Sequence, residues 1–387
     1  MGGTVKHDRL QNERGLALVT SLMFLVVLAI LAAVAVQGHV FDLGMTMKFR
    51  NDRQALYNAE AGINRAIAIL RSTSTQAALN GPDGNANAVA DNGLLPGVTN
   101  PVQYGDGRYA IRILNDEPIW TDTNGIFIIR STGTSGQSTR TIEAVVSRWP
   151  PGIKGAMTGN GTYRLLGTVD VDGRNHRNNG DYDVALAGTG TYGASTKGNT
   201  DYTTSNLRIG GTNSLKIDKA PTRPPDPSVV VKGAGWAAIA TPDAALGLPE
   251  DTLKTIALSG AGGSRYVTPA NINVLNGAVL NGVTYVALPD NVEMDLRYTS
   301  GKGILVVHSP NSNSTVRAPE DFTGIIIIDD MRNFRELFIG AVITLSAEEA
   351  NAATGQGDIR YSTEAINEAL APVLAHMPIK KMSWKEQ

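Results

Sequence analysis

The sequence predicts an α+β chain. A long amino-terminal helix packs on an antiparallel β-meander, and a β-rich, solenoid-like carboxy-terminal domain follows. Three observations predict it. From Gly15 to Phe41 there is no Asp, Glu, Lys or Arg, and the first proline of the chain is Pro82. From Gly107 to Arg148 apolar residues alternate with polar ones over three runs, the period of half-buried strands. From Val283 to Leu345 short unbroken apolar runs recur at about 20 residues, the spacing of stacked coils.

The uncharged stretch is long enough to cross a bilayer as one helix, since about 20 apolar residues suffice. A spanning helix satisfies its backbone hydrogen bonds internally, as lipid requires. A core helix of this length would need a large domain wrapped around every side. The polar leader before it carries Lys6, Arg9 and Arg14 against Asp8 and Glu13. A cationic leader stays cytoplasmic, so the bulk of the chain is exported. A secretory signal would place its small residues after a shorter apolar core. Here the small residue, Gly15, precedes the apolar run, in Glu13-Arg14-Gly15-Leu16. Beyond the span, Leu56, Ala59, Ile63, Ala66 and Leu70 recur at spacings of three and four, an amphipathic stripe. One helix is therefore expected from about Leu16 to Arg71, with Leu56, Ala59, Ile63 and Leu70 packing it on a head.

The leader ending in Gly15 resembles that of type IV prepilins. The block Arg53-Gln54-Ala55-Leu56-Tyr57-Asn58-Ala59-Glu60-Ala61 is similar to the amino-terminal region of PilX-type minor pilins. The resemblance spans roughly residues 13 to 71. It implies cleavage by prepilin peptidase between Gly15 and Leu16, methylation of the new amino terminus, and a helix that leaves lipid to pack with other pilins. Leu16, Ala17, Leu18, Thr20, Leu22 and Phe24 would lie in that membrane and filament helix. Most major pilins carry Glu at the fifth mature position, where this chain has Thr20. A carboxylate in an apolar core is costly unless paired, and Thr20 cannot supply the pair. The departure points to a minor subunit rather than a bulk one; otherwise Thr20 is a helix residue whose hydroxyl bonds a preceding carbonyl.

The 387 residues exceed one typical domain of about 100–200 residues. The expected organisation is a leader at 1–15, a helix at 16–71 with its span at 16–41, a head at 72–151, a solenoid-like domain at 152–372 and a tail at 373–387. A net charge of −2 gives no field for nucleic acid, and the absence of cysteine removes disulfides and the common zinc motifs. The 42 glycines suit short strands and tight turns.

Residues 72 to 106 read as a loop rich in turn formers. Asp83, Asn85, Asn87 and Asp91 sit at offsets similar to a calcium loop, but Leu94 stands where the closing acidic ligand belongs. These four are weak metal candidates and a solvated turn is preferred. Tyr109, Ile111 and Ile113 then open the meander, Gly125 to Gly133 continues it and Thr139 to Arg148 closes it. Its apolar face needs a cover, which the stripe of the long helix supplies.

Past Trp149-Pro150-Pro151 the chain turns β-rich. Thr241 to Leu258 holds a short helix with Pro249 near its start. With Tyr285, Leu305, Ile326 and Val342 as markers, the coil steps are 20, 21 and 16 residues. Ser362 caps a final helix that ends near Pro372, and the tail from Lys380 is expected to fray. This part resembles a carboxy-terminal domain of large PilX-like proteins.

No nucleophile elbow, phosphate loop or His-Glu-x-x-His motif is present. Asp170, Asp172, His176, Asp181 and Asp183 form the densest acidic group. Asp170 and Asp172 are weak candidates for a cation, or for paired carboxylates in glycoside cleavage; turn residues bonding their own backbone are preferred. Tyr182, Tyr192 and Tyr202, ten residues apart, either offer a stacking surface for sugars or cover a strand edge. The resemblance implies a minor pilin without enzymatic activity or cofactor. It would sit in the inner membrane as a single-pass protein with a periplasmic carboxy-terminal part, then in a surface pilus. Its role would be pilus assembly, adhesion and twitching motility, with a tip adhesin or surface polysaccharide as further partners. The rivals are a large minor pseudopilin of a type II secretion system and a tethered polysaccharide-binding or -cleaving solenoid.

Overall fold

In the computed structural model the described residues are 6–73, 78–79, 95, 98–116, 124–201, 207–214 and 217–386, apart from 298, 318, 333, 335, 348 and 351–353. Helix α1 (Lys6–Leu70) is continuous. Its outer half buries Ala55, Ala59, Ile63, Ala66 and Leu70, while Leu56 sits half-buried at the margin of the same cluster.

The sheet beneath it contains β1 (Val102–Tyr104), β2 (Gly107–Asn115), β3 (Ile126–Ser135) and β4 (Ser138–Ser147), each antiparallel to the next. Tyr109, Ile111, Ile113, Phe127, Ile129, Ile142, Ala144 and Val146 point into the helix. Small residues set the closeness of the two layers. A Cβ on Gly133 would overlap the Ala55 carbonyl oxygen and the Ala59 nitrogen of α1. Asn58, fully buried in the seam, donates to the Thr134 carbonyl at 2.9 Å and accepts from Gln54 at 3.0 Å.

The second part is a parallel stack. Its strands in chain order are β5 (Gly155–Gly159), β6 (Asp170–Asp172), β7 (Tyr192–Thr196), β8 (Arg208–Ser214), β9 (Ile217–Thr222), β10 (Arg265–Val267), β11 (Val283–Ala287), β12 (Ser300–His308), β13 (Phe322–Ile328), β14 (Leu337–Thr344) and β15 (Asp358–Arg360). The ladder runs β10-β11-β12-β13-β14-β15-β6-β8 in parallel, and β9 closes it antiparallel to β8. Leu305, Ile326 and Val342 stand in register, as their spacing predicts. Thr284, not Tyr285, faces Leu305, so the first step is one residue longer than expected. Glu293–Asp295, Thr315–Arg317 and Asp330–Arg332 form a second parallel ladder beside the first. The apolar runs are buried on both faces because each strand has the stack interior on one side and covering elements on the other.

One expectation is incomplete and one needs correction. The segment from Thr241 holds two helices, α2 (Pro242–Leu246), which the sequence does not announce, and α3 (Thr252–Ser259), which starts just past Pro249 as expected. Gly247 in the left-handed region ends α2, and Pro249 cannot continue it. The chain end is not frayed. After α4 (Thr363–Leu370), capped by the Ser362 hydroxyl as expected, β16 (Lys380–Glu386) returns to the first sheet and pairs antiparallel with β4. An unpaired β4 edge supplies the backbone partners that a solvated tail would lack.

Candidate functional site

The inner half of α1 packs on no other element among the described residues. Leu16, Leu18, Leu22 and Phe24 are among its exposed large apolar residues, at 72%, 70%, 63% and 70%, and Ala17 is exposed with them. The segment is long and apolar enough to cross a membrane. The Thr20 hydroxyl donates to the Leu16 and Ala17 carbonyls at 3.0 and 3.1 Å, so its polarity is satisfied within the helix. Gly15 lies inside the helical run, and residues 1–5 lie outside the described residues. The helix is thus a rod with one half docked and the other a greasy surface.

The calcium-like residues Asp83, Asn85, Asn87 and Asp91 lie outside the described residues, as does Tyr202. Asp170 and Asp172 line a polar cleft of about 420 Å³ with Arg174, His176, Arg208 and Arg360. Their charges are already engaged. Arg208 from the neighbouring coil grips Asp170 through both nitrogens. Arg174 donates to Asp172 from Nε and, at 2.8 Å, from Nη2, while His176 Nε2 lies 3.4 Å away. Tyr182, one of the three tyrosines of the expected stacking surface, carries the Arg174 guanidinium 4.2 Å from its ring centre and meets His176 edge-on. Tyr192 lies on β7.

Burial raises the Asp172 pKa, but hydrogen bonds from His176 and Arg174 outweigh it and hold the carboxyl below its usual 3.8. A general acid in glycoside cleavage needs the opposite shift. Among the described residues no group of His, Asp and Glu is arranged to hold a metal ion. The Asp172 carboxylate is held on its own coil by Arg174 and His176. Its folded pKa is depressed, so its stabilisation is present above the unfolded value near 3.8 and is lost as pH falls through the folded value. Asp172→Asn is expected to lower the thermal midpoint at pH 7 and to flatten its acid slope below pH 4, read by circular dichroism melts across pH; parallel slopes for both chains would contradict the assignment.

Sequence reasoning missed Arg148, buried where β4 ends, and Asn58, buried in the helix seam. Neither carries a local signal, since their partners lie 78 and 76 residues away. It also gave His308 no role, although its Nδ1 lies 2.7 Å from the buried Asp329.

The long helix is docked by its outer half on an antiparallel sheet and bare along its apolar inner half. Residues 14–64, which carry most of the long helix, match the family model of the PilX N-terminal domain. Among solved structures, the crystal structure of the competence-associated pilin ComZ from Thermus thermophilus is 13% identical, with a TM-score of 0.27; the match covers 87% of this chain and 97% of that one. No curated protein matches.

Proposed function

We propose that this chain is a minor type IV pilin, processed between Gly15 and Leu16, that works at a filament tip in assembly and surface contact. The observation that carries the reading is the bare half of α1, an apolar rod exposed from Leu16, the residue that follows the candidate cut, through Phe41. Removing the charged leader lets that rod leave lipid, since no Asp, Glu, Lys or Arg side chain then remains before Asp42. A bundle of sibling helices offers the same apolar surroundings that lipid does. Thr20 brings no carboxylate to such a bundle, which suits a subunit present in few copies. Before extraction the chain sits in the inner membrane with its globular parts exported. The head at 72–151 carries the contact with α1, and the enlarged part at 152–372, read as a solenoid, is most easily accommodated at an end of the fibre. Its work is structural, not catalytic.

Mass spectrometry of sheared, purified pili tests this. The expected result is a substoichiometric chain with a methylated Leu16 as its amino terminus, together with reduced piliation and twitching on deletion. A chain that keeps Met1–Arg14 and never co-purifies with fibres would overturn it, and loss of protein secretion with intact pili would assign the chain to a secretion system instead.

A further inference from the structure

The head of this protein is finished by the last residues of the chain. Strand β16 pairs with β4 from Lys380 opposite Ser147 to Glu386 opposite Ile142, with a register break between Lys381 and Ser383. All seven of its residues are exposed, so side-chain burial holds it weakly. Its position is set by what precedes it. Helix α4 and the turn after it bury Ile366, Ala369, Leu370 and Val373 on the parallel stack, and that anchor presents β16 to β4 at high local concentration.

Arg148 joins the same pieces. It is 4% exposed. Nη1 donates to the carbonyls of Leu70 and, at 2.8 Å, Thr73; Nη2 donates to those of Arg71, at 2.9 Å, and Leu374. Three of the four acceptors are at the end of α1, where helix carbonyls lack partners and a cation is favoured. The fourth lies in the turn after α4, 226 residues from Arg148 in sequence. Burial pulls the guanidinium down to about 10, which leaves it charged at neutral pH. Arg140 adds an outer tie, 3.3 Å from Asp52 on α1 and 3.5 Å from Glu386 on β16.

We propose that β16 and Arg148 form a strap that makes completion of the helix-on-sheet head conditional on folding of the carboxy-terminal part. A chain whose second part is unfolded, or whose end has not yet arrived, leaves β4 as an open sheet edge and Arg148 short of one acceptor. An open edge is a pairing hazard, and a loosened helix end is a poor base for a rod that must bear load. The consequence for filament entry rests on the pilin reading; the coupling itself does not, and is tested on the chain alone.

The test is hydrogen exchange on the full chain in detergent micelles, compared with a chain ending at Ile379 and with Arg148→Lys, which keeps the charge but cannot serve four carbonyls. The expected result for the truncated chain is exchange about tenfold faster along the outer edge of β4. For Arg148→Lys the same acceleration is expected at the Arg71 and Ser72 amides, which bond Ile67 and Ile69. Protection in β12–β14 stays unchanged in both. Equal protection of β4 and of the helix end in all three chains would overturn the strap, and so would a loss confined to the parallel stack.

Discussion

Gly133→Ala is expected to undock α1 from its sheet, with a loss of about 3 kcal/mol or more, the upper end of overpacking costs. Gly133 sits on the central strand β3, opposite Tyr109 on β2 and Arg140 on β4, so it cannot move without carrying both neighbours. The atoms its Cβ would strike are the Ala55 oxygen and the Ala59 nitrogen. Both are backbone, and no rotamer change relieves the overlap. The helix must lift, which breaks the Asn58 to Thr134 bond and opens the layer between Ile63, Leu70 and the sheet. Burying each such side chain is worth about 1.5–3 kcal/mol. Gly62→Ala is the control on the facing surface. Its Cβ would meet the Ser131 hydroxyl, which can rotate, and would sit 3.1 Å from a Tyr109 ring carbon and 3.2 Å from the Ser131 Cβ, side chains that need give only slightly; Ala gains about 1 kcal/mol of helix propensity over Gly. Urea unfolding of both variants should therefore show a large loss for Gly133→Ala and a small change for Gly62→Ala. A reversed order would mean that the seam is not set by backbone contact.

These two glycines mark where sequence reading stops. The helix was legible because an uncharged run followed by a three-four stripe admits few other structures, and Ala59, Ile63 and Leu70 are buried as that stripe demands. The meander was legible from alternation alone. The stack was legible as spacing, and three of its markers fall in register. What stayed hidden depends on partners far along the chain. Asp170 reads as part of an acidic cluster because its Arg208 lies 38 residues away, on the next coil. Parallel coils bring such residues together with no local pattern. Strand β16 reads as a tail because its lysines and exposed side chains are those of a solvated segment, and only the open edge of β4 makes it a strand. Arg148 is one arginine before a proline pair until the ends of α1 and α4 converge on it.

Asp329→Ala should cost the parallel stack about 3–5 kcal/mol, the range for removing one partner from a buried charged network. The Asp329 carboxylate is fully buried at the end of β13. One oxygen accepts from the Ser309 amide and hydroxyl, each at 2.8 Å, and from the Ser314 amide and hydroxyl at 3.2 and 2.6 Å. The other lies 2.7 Å from His308 Nδ1. A carboxylate is desolvated at such a position only when donors surround it, and here they fold the 309–314 turn onto the stack. Alanine leaves those donors buried without an acceptor. Asp329→Asn is expected to cost less, because its Oδ1 can take the four serine donors while its amide faces His308 Nδ1, which accepts in one tautomer. His308→Phe removes one contact at a partly exposed edge and should cost about 1 kcal/mol. Denaturant unfolding followed by near-ultraviolet circular dichroism separates these outcomes. Because α4 and β16 are anchored on this stack, Asp329→Ala should also accelerate exchange along β4, at a residue that touches neither the head nor α1. An Ala variant within about 0.5 kcal/mol of the parent, the scatter of neutral surface changes, would show that the turn holds itself and that Asp329 is incidental to it.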